Sequence, residues 1–399
     1  MRCLFVTARP PWPPRRGDQT RVAGLIAELG RRHELAVVAL CPPGFAAAAP
    51  PEGVELREVR MGWPAALAAM TIHPGLPLQV GMHEIPALRR AVARAVADFR
   101  PDVAVVVLSR LGGVLPALAG IPVVLDLIDA LSLNMANRAG RERVWGPLLR
   151  REARRMGDWD RSLLERVDAA TVVAERDRAA IVAGRPDLTG KVEVVPIGVA
   201  VPATPPVSRA TGPVVLLSGN LGYFPTVEGA VWFAREVWPL IRQRRRDAEW
   251  WLAGARPATA IRRLAGLEGV RLLDSPASLD PVRAAARVAI APMRAGSGTP
   301  IKVLEALASG LPVVATPAAI EGLGGAPQGA VVTASTPADF AAAVVAILEE
   351  PAGGAASRAQ DGWAWVRARH ALPVVAAQFE AVLQRAVAAR VDAPGPGSA

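Results

Sequence analysis

The sequence predicts an α/β protein made of two successive Rossmann-like domains, each a parallel sheet covered by helices on both faces. Three observations carry this. Short, continuously apolar runs alternate with longer stretches whose apolar residues recur every three or four positions. The alternation stops at a proline-rich segment and then restarts in the same order. The chain, at 399 residues, is long enough for two such domains to bury separate cores.

Taken in order, "RCLFVTA" reads as a buried strand, "QTRVAGLIAELGRR" as an amphipathic helix and "ELAVVAL" as a second strand. The strands "DVAVVVL", "IPVVLDLI", "AATVVA" and "VEVVPIG" continue the pattern. Between "IPVVLDLI" and "AATVVA" lies "RERVWGPLLRREARRMGDWDRSLLERVD", whose periodicity predicts one or two helices over the sheet. The segment "PIGVAVPATPPVSRATG" has four prolines between Pro196 and Pro206 and few large apolar residues, as a linker should. After it come "PVVLLSG", "AEWWLAG", "VRLLD", "VAIAPM", "PVVAT" and "AVVTA" as strands, separated by helical stretches. The expected domains are therefore 1–201 and 213–390, joined by a linker at 202–212 and followed by a disordered tail at 391–399. In open parallel sheets ligands bind beyond the carboxyl ends of the strands, so a cleft flanked by two sets of strand-to-helix loops is the expected site.

Composition narrows the partners. An apolar content of 51% excludes a largely disordered chain. The formal net charge of +10 is carried nearly all by arginine and favours anionic partners, although a bias toward Arg, Ala, Pro and Gly accounts for much of it. Nucleic acid is not expected, because the chain has one tyrosine and its arginines are scattered without interleaved aromatics. Cys3 and Cys41 lack metal-ligand spacing and suit a reduced compartment. "MRCLFVTARP" reaches charge and proline too soon for a signal peptide, and the longest apolar region is broken by Arg110, Gly112, Pro116 and Asp126. The expected location is cytoplasmic, at most peripheral to the inner face of a membrane.

Four loops could carry chemistry. In "TARPPWPPRRGDQT", Gly17 and Asp18 precede a helix whose free amides could meet an anion, with Asp18 as N-cap the plainer alternative. The dinucleotide fingerprint G-x-G-x-x-G is absent there, which counts against a nicotinamide enzyme. In "LDLIDALS", Asp126 and Asp129 follow a buried run and at least one should face the site, with helix capping as the competing role for Asp129. In "LLSGNLGYFPT", Gly219 and Asn220 form a small polar strand end that lets a ligand approach the backbone. In "RAGSGTPIKVLEALASG", Ser297, Gly298 and Thr299 fall at the amino end of a helix with Pro300 in its first turn, while Arg294 and Lys302 add positive charge for a diphosphate. Glu305, one turn on, could accept hydrogen bonds from ribose hydroxyls.

Together these segments resemble the GT-B glycosyltransferases, and within them family 4, the retaining, nucleotide-sugar-dependent transferases. The resemblance runs over nearly the whole chain, through "RPPWPPRRGDQTR", "DAATVVAERDRAAI" with "VEVVPIGV", "SGNLGYFPTVEGAVWFAREVWPLI", and "APMRAGSGTPIKVLEALASGLPVVAT" with "EGL" after it. It is nearest to the sugar transferases of bacterial exopolysaccharide clusters. The resemblance implies two Rossmann-like domains facing across a cleft and transfer of a hexose from a nucleoside diphosphate sugar to a glycan or lipid-linked acceptor. It also implies retention of configuration, no cofactor and no obligatory metal, with Asp129 and Glu305 as the catalytic pair. Gly17, Asp18, Gly219, Asn220, Arg294, Ser297, Gly298, Thr299, Lys302 and Glu305 would bind the donor. Three departures stand out: Ser297 replaces the family's first glutamate, Asn220 and Thr226 replace its arginine and lysine, and Asp129 stands in for its histidine. Two other readings share the fold. One is a nucleotide-sugar epimerase, disfavoured because His33, His73, His83 and His370 are expected away from the strand-end loops; the other is a non-catalytic nucleotide-sugar-binding relative.

Overall fold

The apolar runs assemble into two wholly parallel sheets. This is a computed structural model, and it describes residues 1–45, 47–62, 72–73, 75–140, 145–206, 212–294 and 300–391. The first sheet contains β1 (Arg2–Thr7), β2 (Glu34–Cys41), β3 (Val54–Arg60), β4 (Val103–Val107), β5 (Val123–Ile128), β6 (Ala169–Val172) and β7 (Val192–Val194), ordered β3-β2-β1-β4-β5-β6-β7. The second contains β8 (Val214–Asn220), β9 (Glu249–Ala255), β10 (Val270–Asp274), β11 (Val288–Ala291), β12 (Val313–Ala315) and β13 (Val331–Thr333), ordered β10-β9-β8-β11-β12-β13. In each sheet the strand order reverses beside the first strand, β1 or β8. That reversal opens the loops after β1 and β4, and after β8 and β11, in opposite directions and leaves a crevice between them.

Central strands are buried on both faces, so β4 reads "VAVVV" without alternation. The edge strand β3, "VELREVR", is largely charged instead, with Glu55, Glu58 and Arg60 exposed. It has no counterpart among the strands expected from apolar runs, because an edge strand needs only one buried face.

Contacts divide the chain into two units, Met1–Gly198 with the chain from Leu372 onward, and Val199–Ala371. The first boundary falls three residues before the expected end of the first domain at 201, but the second unit ends well short of 390. The reason is the last helix, Leu372–Val391, which buries Val375, Phe379, Val382 and Leu383. It packs in the first unit: Phe379 lies 5.9 Å from the Arg21 guanidinium, and Glu380 shares a 2.8 Å hydrogen bond with His33. Gly24 and Gly198 both lie against Leu372, where an added Cβ would come within 2.6 and 2.9 Å of its side chain. The expected linker does not stand apart either: the Pro202 and Ala203 carbonyls accept from Trp363 and Arg367 of the second unit. Residues 207–211 of the linker and 392–399 of the expected tail lie outside the described residues.

The second unit's core is aromatic. Phe233 packs against Trp250, Phe340 and Trp238 with ring centroids 4.7, 5.8 and 6.3 Å apart, and Trp232 meets Phe340 edge-on at 5.7 Å. Such contacts add about 0.5–1.5 kcal/mol each to the burial of the rings themselves, and they clamp β9 to the helix that follows β8. Both cysteines are buried free thiols.

Candidate functional site

In the first unit the carboxyl ends of β1, β4 and β5 present a cluster of charges. The helix after β1, Gly17–Leu29, begins at Gly17 with Arg16 as its N-cap, so Asp18 is not the cap. It lies in the first turn and accepts from Arg9 at 2.7 Å, both side chains being 16% exposed. The loop between them is fixed by Gln19, whose amide donates to the Pro10 carbonyl at 2.7 Å and accepts from the Arg15 N–H at 3.2 Å.

The two aspartates of "LDLID" part company. Asp126 points into the core, where Arg21 donates to it at 2.8 and 3.2 Å and Thr171 at 2.8 Å. Asp129 lies beyond the strand end. The following helix starts at Leu131 without a side-chain cap, and the Ala130 N–H goes to Asp177, so Asp129 does not cap it. Burial pushes its pKa up to about 6, against a 2.8 Å hydrogen bond from Asn134 that lowers it; the Asp177 charge adds to the rise and Arg110 opposes it.

The backbone that presents these groups is strained. Leu108 and Ile128, the non-glycine residues at the ends of β4 and β5, have φ of 72° and 65°. For a non-glycine residue that region costs on the order of 1–3 kcal/mol, most of all for the β-branched Ile128, and such strain clusters at functional sites. Two residues after Leu108 comes Arg110, read in the sequence only as an interruption of an apolar run. It is half-buried, its Nε meets no acceptor among the described residues, and its pKa falls to about 10 through burial and the like charge of Arg9.

His83 joins this cluster as well. Its Nδ1 shares a 2.7 Å hydrogen bond with the Gln79 carbonyl, and burial, then the Arg110 charge, press its pKa down to about 4. The expectation that every histidine lies away from the strand ends fails here, because the short helical turn bearing His83 is brought in from far along the chain. His33 and His370 do lie elsewhere, against Glu380 and Trp365.

In the second unit the site gathers around β8. Gly219 has φ of 117°, and Gly254 on β9, with φ of 151°, lies so close that an added Cβ would be 1.7 Å from the Gly219 carbonyl oxygen. Only glycine fits either position. Asn220 turns its side chain back on the loop, its oxygen accepting from the Gly222 N–H at 3.0 Å. Lys302 reaches this strand end from helix Ile301–Ala308: its Nζ donates to Thr226 at 2.9 Å and would lie 4.0 Å from a Cβ on Gly219. Burial lowers its pKa to about 8, with Glu305 opposing the shift. The helix is capped by Pro300, one position earlier than expected.

Glu305 is engaged by a residue the sequence did not suggest. Arg283, almost fully buried, donates to its Oε2 at 2.5 Å and to Asp280 at 3.0 Å. Arg294 is exposed and lies 5.8 Å over the Trp232 ring. Ser297, Gly298 and Thr299 lie outside the described residues. No group of three or more His, Cys, Asp or Glu among the described residues is placed to hold a metal ion.

The structure thus brings Gly17, Asp18 and Asp129 together with Arg9, Arg110 and His83 in the first unit. In the second it brings Gly219, Asn220, Lys302 and Glu305 together with Thr226, Gly254 and Arg283. The missed residues are mostly lone arginines in apolar or helical context, and no local pattern distinguishes them from surface charge.

Comparison with known proteins agrees with this architecture. Residues 16–198 match the family model described as "Glycosyl transferase 4-like domain", and residues 212–350 match "Glycosyl transferases group 1". Comparison with curated protein sequences gives no significant match. Among solved structures the chain is similar to the sucrose-phosphate synthase of Thermosynechococcus elongatus, with 16% identity, 98% of this chain and 100% of that one covered, and a TM-score of 0.72. It is similar to Anabaena HepE in complex with UDP, with 16% identity, coverage of 96% and 100%, and a TM-score of 0.64. A third is WaaG, "a glycosyltransferase involved in lipopolysaccharide biosynthesis", with 12% identity, coverage of 95% and 99%, and a TM-score of 0.63. With two glycosyltransferase domains in succession and the fold of these structures, the chain belongs to the glycosyltransferases of GT-B type.

Proposed function

We propose that the protein transfers a hexose from a nucleoside diphosphate sugar to an acceptor hydroxyl with retention of configuration, without a cofactor or an obligatory metal, as a family 4 enzyme. The observation that carries this is the half-buried ammonium of Lys302 beside the Cβ-free face of Gly219. A desolvated cation against bare backbone is suited to an anion that arrives without side-chain crowding. Thr226 occupies the place of the family's lysine, and Lys302 donates to it, so the cation lost from one helix is supplied from another. Lys302 is one of two lysines in the chain, the other being Lys191. That HepE was solved with UDP supports a uridine nucleotide as the first donor to try.

In this reading Glu305, oriented by Arg283, takes the ribose hydroxyls. The diphosphate leaving group is stabilised by Lys302, Arg294 and the helix end that Ser297, Gly298 and Thr299 precede, and Gly17, Asp18 and Asn220 complete the donor contacts. Asp129 accepts a hydrogen bond from the acceptor hydroxyl, and its pKa near 6 leaves it mostly ionised at neutral pH. The pathway is bacterial surface-glycan or exopolysaccharide synthesis, a reading the likeness to WaaG supports. The acceptor is a glycan or a lipid-linked glycan. Peripheral contact with the inner face of the membrane fits helix Gly146–Leu164, which exposes Leu148, Arg150, Arg151 and Arg154 beside Trp145. No single described helix is long and apolar enough to cross a membrane.

UDP should raise the melting temperature of the wild type by mass action. Lys302→Ala should weaken UDP binding by roughly tenfold to a hundredfold, as loss of a charge-assisted contact does. Because Lys302 is protonated below about pH 8, affinity should fall as pH rises through that value in the wild type and stay level in Lys302→Arg. Failure of every nucleoside diphosphate to bind, or identical binding by Lys302→Ala, would remove the basis of the proposal. Product analysis with and without acceptor then separates transfer from epimerisation.

A further inference from the structure

Glu305 is gripped by a cation from another helix. Arg283, in the short helix Asp280–Ala285 between β10 and β11, donates from Nη2 to Glu305 Oε2 at 2.5 Å and from Nη1 to Asp280 at 3.0 Å. Its side chain is 9% exposed, and its Nε, sealed from solvent, meets no acceptor among the described residues. The backbone beneath it is fixed: Val282 and Ala286, flanking it on that segment, are buried in one core with Val303, Leu304 and Leu307 of the helix that carries Glu305. Burying a guanidinium with one donor idle costs stability, so stability alone does not account for the arrangement.

What the pair does is fix a carboxylate. The Glu305 side chain is 36% exposed, enough to meet a ligand and, if unpaired, to swing. Arg283 engages one lone pair of Oε2, while Oε1 accepts no hydrogen bond among the described residues. Lys302, one turn earlier on the same helix, directs its ammonium at Thr226, so Arg283 is the cation that decides where this carboxylate sits. A guanidinium is planar and directional, and it holds its partner in one orientation as an ammonium does not. A carboxylate held in that way distinguishes two adjacent hydroxyls from one. Ribose offers both as donors, whereas 2′-deoxyribose leaves a carboxylate oxygen facing a C–H. A site preorganised for a hydroxyl rejects the analogue lacking it more strongly than a site free to relax toward solvent.

We propose that Arg283 makes the donor site selective for ribonucleotides: it is a positioning residue that fixes Glu305 for two ribose hydroxyls and so excludes donors built on 2′-deoxyribose, thymidine diphosphate sugars among them. This selectivity rests on the reading of Glu305 as the ribose contact and extends it to the class of nucleotide the enzyme uses.

Calorimetric titration of the full chain with UDP and with 2′-deoxy-UDP tests this, for the wild type, Arg283→Met, Arg283→Gln and Arg283→Lys. The ratio of the two affinities is the readout, because a general loosening of the unit or a change at Lys302 lowers both alike. The wild type should prefer UDP by roughly tenfold to a hundredfold, the range for a hydrogen bond to a charged group. In Arg283→Met and Arg283→Gln the preference should fall below about threefold, chiefly through weaker UDP binding, and Arg283→Lys should retain part of it. Asp280 is exposed and Glu305 partly so, which means that removing the guanidinium strands no carboxylate in the interior. Melting curves identify the variants that fold, and if only one neutral variant does, that one decides. Failure of both neutral variants to fold makes Arg283 a structural residue and overturns the proposal. A preference undiminished in the neutral variants also overturns it and leaves the ribose contact standing. A wild type that binds UDP and 2′-deoxy-UDP equally overturns the ribose contact and the selectivity together. A wild type that binds neither removes the donor reading itself, and the selectivity with it.

Discussion

Two arginines of the first unit, the buried Arg21 and the half-buried Arg110, differ in what surrounds them. Arg21 uses every donor group it has: Nε and Nη2 go to the two oxygens of Asp126, and Nη1 donates to the Val195 and Pro196 carbonyls at 3.0 and 2.8 Å. Asp126 is completed by Thr171, and the guanidinium lies near Phe379. Around Arg110 and Asp129, at the outer ends of the adjacent strands β4 and β5, the backbone is left-handed, the carboxyl pKa is raised and the guanidinium Nε has no acceptor. The two aspartates are three residues apart in sequence. What separates scaffold from site is completeness of hydrogen bonding, which residue type alone would not have revealed.

The difference between the two clusters should show in stability measurements. The greatest loss should come from Asp126→Ala, which strands the Arg21 charge inside the protein; loss of one partner from a buried pair costs about 3–5 kcal/mol. Urea denaturation measures it, and a loss below about 1 kcal/mol would mean that Arg21 is less dependent on Asp126 than its geometry implies.

Asp129→Asn should act in the opposite direction. Asp129 has a folded pKa near 6 against an ordinary 3.8, so the native state holds a proton that the unfolded chain has released between those values. Wild-type stability therefore declines as pH rises through that window. The variant, which cannot ionise, should be more stable above pH 6 by on the order of 2–3 kcal/mol, and the gain should disappear near pH 4. Activity should fall sharply at the same time. A variant less stable than the wild type at pH 7 would place Asp129 with Asp126 as scaffold.

A smaller change is expected from Asn134→Ala. It removes the hydrogen bond that lowers the Asp129 pKa, so the pH at which stability stops declining should move upward. The loss of the contact itself should cost about 1 kcal/mol. An unchanged pH profile would show that Asn134 does not tune this carboxyl.

Much of the architecture was legible because continuous apolar runs and prolines are local signals. β1, β2, β4 and β5 fall where their runs predict, and the unit boundary lies near the proline-rich segment. β3 was not legible, since "VELREVR" is half charged, and neither was the return of helix Leu372–Val391 to the first unit, which depends on contacts such as Glu380 with His33 across most of the chain. At the site, Lys302, Glu305, Gly219 and Asp129 could be picked out because each lies in a short motif at a strand end or helix start. Arg110, Arg283 and His83 could not. Each acquires its meaning from a partner, or the lack of one, supplied by a distant element: Arg283 from Glu305 on another helix, His83 from the charges after β1 and β4.

The placement of helix Leu372–Val391 has a consequence for how the chain is made. The second unit starts and finishes side by side, the Val199 N–H donating to the His370 carbonyl at 2.8 Å, and all of it emerges from the ribosome before residue 372. The first unit, although its strands are translated earliest, must wait with Arg21, His33 and Gly24 uncovered until the last helix arrives to cover them. The part made first is thus finished last, and the interval between the two is when the nascent chain most needs protection from aggregation.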